Sequence, residues 1–93
     1  MRIVYPLSVG EVERVRDSLA RQGFQEPFKE ADGYNPNTIH IKGEGEDYVE
    51  VRVSEIQFEI LMMGRESKIN TLTTVLFQDA QLNKREPSLV LDN

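Results

Sequence analysis

Ninety-three residues with eleven basic and sixteen acidic side chains, one histidine and no cysteine make a single domain over 1–93, and they exclude disulfides, thiolate metal sites and cysteine nucleophiles. The formal charge of −5 argues against direct nucleic-acid binding, because affinity for a phosphate backbone comes largely from Lys and Arg displacing counterions. No run of about 18 apolar residues is present to span a bilayer, and the apolar stretch after Met1 is too short for a signal peptide, so the expected location is cytoplasmic.

Arg2 to Tyr5 is β-prone and closes at Pro6, which predicts a short first strand. Ser8-Val9-Gly10-Glu11 matches a capping box, with Leu7 and Val12 at the staple positions, so a helix is predicted from Val9. Val12, Val15 and Leu19 recur on one side of it, and Asp17 with Arg21 forms a favourable i,i+4 pair. Gly23 fits a left-handed C′ position with Phe24 folding back onto the last turn, ending the helix near Gln22. Turn formers then fill Gln25 to Asn37, a length that in compact domains is often functional. Phe28 and Tyr34 lie in this stretch; the inward, core-filling reading is favoured, and an outward contact role is the alternative.

Three alternating runs follow: Ile39 and Ile41; Val49, Val51 and Val53; Ile56, Phe58, Ile60 and Met62. A two-residue turn at Ser54-Glu55 pairs Val53 with Ile56, Val51 with Phe58 and Val49 with Ile60, a bulge being the alternative; across the loop from Gly43 to Asp47, Ile41 pairs with Val49 and Ile39 with Val51. After Gly64, Ile69, Leu72, Leu76 and Ala80 recur at helical spacing and Ser67 is a candidate cap, so a second helix is predicted, although Thr71, Thr73, Thr74 and Val75 are β-branched and lean to strand. The tail over 84–93 either adds an edge strand or hangs free. The predicted fold is α+β: a small two-layer domain in the order β-α-β-β-β-α, whose three- to four-stranded, mainly antiparallel sheet packs on one or two helices.

Charge is unevenly placed. Gly43 to Gly64 holds six acids and one base, Arg52, while the remainder carries ten of each, so a negative face is expected on an otherwise balanced surface. With the register above, that face carries the rows Thr38, Arg52, Gln57; His40, Glu50, Glu59; and Lys42, Tyr48, Leu61. Glu50 opposite Glu59 is a like-charge pair, and His40 beside Glu50 should have its charged form favoured. The ordinary explanation is a solvated sheet face whose charges discourage aggregation.

The functional explanation is a docking face for a basic surface on another protein, formed by Glu44, Glu46, Asp47, Tyr48, Glu50, Arg52, Glu59 and His40, with Phe28 and Tyr34 as further contacts. A metal site from His40, Glu50 and Glu59 is disfavoured, since strands lie about 5 Å apart and the outer side chains would have to lean over the middle one. Gly43-Glu44-Gly45-Glu46-Asp47 lacks the order of an EF-hand loop and reads as a turn, and Met62-Met63 reads as core filling. One histidine and five scattered serines assemble no hydrolase relay. No cofactor or enzyme activity is expected.

The functional expectation is therefore a non-enzymatic protein-binding module, with an inhibitor that occupies a partner's nucleic-acid-binding surface as one form of it. Nuclease immunity proteins and phage anti-CRISPR proteins are similar in size and charge, and no motif here matches either family. The competing expectation is an assembly protein that forms a homodimer through a strand edge or the tail from Leu89 to Leu91; a third, less favoured, is a small enzyme or ligand sensor using the Gln25 to Asn37 loop.

Overall fold

The chain, described here from a computed structural model over residues 2–26, 38–44, 48–62, 66–83 and 85–90, runs β1 (Arg2–Pro6), α1 (Glu11–Arg21), β2 (Thr38–Lys42), β3 (Val49–Val53), β4 (Gln57–Met62), α2 (Glu66–Asp79) and β5 (Ser88–Val90). All strand pairs are antiparallel in the order β2-β3-β4-β1-β5. The class is α+β as predicted, and the tail supplies a fifth strand beside β1.

The staple holds, since Leu7 and Val12 both pack on the core, and the Glu11 carboxylate accepts the Ser8 N–H at 2.7 Å. The helix nevertheless starts two residues later than predicted. Gly10 takes the N-cap position at φ 92, a left-handed conformation that glycine adopts without a Cβ penalty, and Val9 is left 99% exposed. At the other end Gly23 has φ 89 and the Phe24 N–H reaches Leu19 O at 2.9 Å, the expected glycine-terminated turn. α2 ends in the same hydrogen-bond pattern, Leu82 N–H to Phe77 O at 2.9 Å, with Gln81 at φ 55 in the glycine position.

α2 is a helix despite its β-branched residues because a tertiary contact outweighs local propensity. Leu76 and Ala80 are buried and Leu72 partly so, while Thr71, Thr74 and Val75 point outward. Phe77 joins Tyr5 and Phe58 in an aromatic cluster, with Tyr5 centred 5.0 Å from each of the others, tying α2 to β1 and β4. Val15 and Leu19 of α1 complete the core with Val51, Val53 and Ile60.

The strand register differs from the prediction in two ways. Val53 pairs with Phe58 and Val51 with Ile60, because the β3–β4 connection closes with Ser54 N–H on Gln57 O at 2.8 Å and leaves Ile56 70% exposed in the turn. A slip of two keeps Val51, Val53, Phe58 and Ile60 on their predicted buried face. Ile41, however, pairs with Glu50 and Ile39 with Arg52, a slip of one that turns β2 over. Thr38 and His40 thus face the helices, and Ile39 and Ile41 lie half-buried on the other side. The reason is positional. β2 lies at one edge of the sheet, its phase fixed by Gln25, which exchanges two hydrogen bonds with Ile41 at 2.8 and 2.7 Å, and by Arg16 of α1, which donates to Thr38 Oγ1.

Candidate protein-binding face

Strand alternation puts Arg2, Val4, Ile39, Ile41, Glu50, Arg52, Gln57, Glu59 and Leu61 on the side of the sheet away from α1 and α2. Glu50 and Glu59 share this face and are not opposite one another, which corrects the predicted like-charge pair. Glu59 stands across from Arg52 and Glu50 across from Leu61. The Glu59 carboxylate, only 13% exposed, also accepts from Gln57 Nε2 at 2.8 Å and lies 3.5 Å from Arg2 Nη1. Arg52 Nη2 lies 3.9 Å from Glu50.

Two arginines therefore balance two glutamates, and half-buried aliphatics surround them. Arg2 comes from β1, brought beside β4 by pairing across 57 residues of sequence; no local pattern in the sequence carries that signal.

His40 was expected on this face and is not there. It is 1% exposed on the helix side of β2, and burial holds its imidazole below the ordinary value, the nearby Glu26 raising it in part and Arg16 lowering it further. The predicted bias toward the charged form is reversed by the one-residue slip.

The hairpin end continues the face. Glu44 is exposed with no ion-pair partner among the described residues, and Tyr48 is half-buried beside Glu50, its phenol held above the ordinary value by burial and then by that carboxylate. Both line an open hollow of about 530 Å³ with Gly23, Gln25, Ile41 and Lys42. Lys42 is already engaged, donating to Gln22 O at 2.7 Å and lying over the Phe24 ring. Of the predicted contact residues, Glu44, Tyr48, Glu50, Arg52 and Glu59 thus share one continuous surface. Phe28, Tyr34, Glu46 and Asp47 lie outside the described residues.

Elsewhere, a groove of about 480 Å³ runs between α2 and the start of β5, walled by Tyr5, Phe77, Leu82 and Pro87. Arg85 at its rim is committed to structure: it clasps both carboxylate oxygens of Glu11 at 2.9 and 2.7 Å and donates to Pro6 O at 2.7 Å. Among the described residues no group of three His, Asp or Glu side chains is placed to hold a metal ion, and no helix is long and apolar enough to cross a membrane. The chain matches no family model, no curated protein and no solved structure.

Proposed function

We propose that this chain is a non-catalytic protein-binding module that meets a basic surface of another protein through the β2–β3 hairpin end and the adjoining sheet face. An inhibitor covering its partner's nucleic-acid-binding surface is the form of this role that suits the acid excess. The observation that carries the reading is the sheet face itself. Ile39, Ile41, Val4 and Leu61 lie half-buried around the balanced Arg2–Glu59–Arg52–Glu50 array, so that apolar surface and mutually neutralised ionic groups share one face, a composition within the range of protein interfaces. At the hairpin end Glu44 is exposed without an ion-pair partner among the described residues, and there its charge steers a basic partner.

The test begins with affinity capture from the native host at low ionic strength, followed by salt titration with the identified partner. Binding should weaken with salt, Glu44→Lys should reduce the association rate several-fold, and Ile41→Asp should increase dissociation. Glu55→Lys is the control, being an exposed acid at the opposite end of β3. A partner whose affinity ignores salt and both Glu44→Lys and Ile41→Asp, or responds equally to Glu55→Lys, rules the proposal out. A second reading is self-association through the β5 edge, supported by the terminal place of β5 in the sheet and by Leu89, 62% exposed. A concentration-dependent mass in sedimentation that Leu89→Lys abolishes would favour it.

A further inference from the structure

His40 is sealed into the helix side of β2 with neither ring nitrogen hydrogen-bonded. The Arg16 guanidinium crosses from α1 to Thr38, two residues away on the same face, and its own Nε is likewise buried without a partner. The Glu26 carboxylate stands 3.6 Å from His40 Nε2 and is one-third exposed. Among the described residues these are the charged groups facing the ring, Arg16 from α1 and Glu26 from the segment that follows it; β3 presents Val51 directly opposite. A neutral imidazole is tolerated in such a place, whereas an imidazolium adds a second positive charge beside Arg16 with a single carboxylate to balance both.

We propose that His40 is a proton-operated latch on β2, whose neutral ring keeps the edge strand and its Gln25 bridge seated and whose protonation releases them. The mechanism is independent of the binding role above. In the released strand the imidazolium is hydrated, which the closed site does not allow, so acid favours the open form. The bridge is the part that yields, because among the described residues Gln25 is joined to β2 by a single isolated bridge at Ile41, and Glu26, 3.6 Å from the ring, compensates the new charge only in part. For the sign, the folded ring binds a proton less readily than the unfolded one. The latch is therefore fully closed above the ordinary histidine value of 6.5 and opens as pH falls below it, by at most tenfold in the opening constant per pH unit for one proton. This range lies above that of Glu11, whose carboxyl titrates from 4.5 down to about 2.

Amide hydrogen exchange, corrected for intrinsic rates and compared at pH 7 and 5.5, reads the latch at Ile41, whose N–H is bonded to Gln25 O. Protection there should fall several-fold in the wild type while that of Leu76 in α2 holds. His40→Phe should abolish the fall, and Glu26→Gln, which removes the one compensating charge and leaves the core alone, should deepen it. Equal protection of Ile41 at both pH values, or the same fall in His40→Phe, overturns the proposal. If His40→Phe does not fold, Glu26→Gln decides: a fall no steeper than wild type overturns it, and a steeper one sustains it.

Discussion

Replacing Glu11 by glutamine tests the clasp that joins the two ends of the chain. Glu11 and Arg85 are 74 residues apart in sequence and their bidentate pair locks the segment before β5 onto the first turn of α1. The Arg85 guanidinium, before any other group, holds the Glu11 carboxyl down from 4.5 to about 2, aided by the Ser8 N–H and hydroxyl and opposed by burial. Linkage converts that displacement into roughly 3 kcal/mol at most. Arg85 is 20% exposed, so solvent screens part of the field and about 2 kcal/mol is the working figure. Because the folded value lies below the unfolded one, the contribution is complete above pH 4.5 and disappears as pH falls toward 2. Urea denaturation from pH 7 to pH 2 should find Glu11→Gln about 2 kcal/mol less stable at neutrality, with the two curves converging near the acid end. A difference independent of pH would refute the electrostatic account, since a purely steric defect does not titrate.

Gln81→Gly should stabilise the fold by about 1 kcal/mol in thermal or urea unfolding, because Gln81 sits at φ 55, where a Cβ carries a steric cost that glycine does not. Glu59→Lys should cost roughly 1–2 kcal/mol by urea denaturation, since it places a cation against both Arg2 and Arg52, whereas Glu50→Lys, opposite Leu61 and meeting Arg52 at the longer, more exposed contact, should cost less, about 0.5–1 kcal/mol; a larger cost at Glu50 than at Glu59 would contradict the register. Val9→Asp should leave urea stability within about 0.5 kcal/mol, Val9 being fully exposed ahead of the helix.

What the sequence made legible tracks the range of the interactions involved. Gly23 with Phe24, and Leu7 with Val12, act within a few residues of one another, and α1 is found with its predicted end and buried face. Its start shifts because two local solutions compete, and the left-handed Gly10 displaces Ser8 from the N-cap position. In β3 and β4 the period-2 pattern fixes faces without fixing pairs. Val51, Val53, Phe58 and Ile60 are buried as expected although each partner differs by two residues. β2 is misphased because its alternation is weak evidence: Thr38 and His40 are buried and Ile39 and Ile41 half-buried, and the groups that decide between them, Arg16 and Gln25, belong to other elements. Arg85 with Glu11, and Arg2 with Glu59, depend wholly on topology.

That topology changes what the charge pattern means. In sequence, the acids from Gly43 to Gly64 suggest one negative face; in the fold, Arg2 arrives on β1 and joins Arg52 in neutralising Glu50 and Glu59. Among the described residues the exposed remainder, Glu44 and Glu55, flanks opposite ends of β3, a separation of roughly 15–20 Å at the rise of an extended strand. That exceeds the Debye length of about 8 Å at physiological ionic strength, so the two ends act on a partner independently. A basic surface meeting the hairpin end, as proposed, would feel Glu44 and not Glu55, while the aliphatics beside the balanced ion pairs would contribute through their desolvation. Under the proposed binding role, long-range attraction and close-range adhesion would thus reside in different residues, Glu44 in encounter and Ile41 in residence.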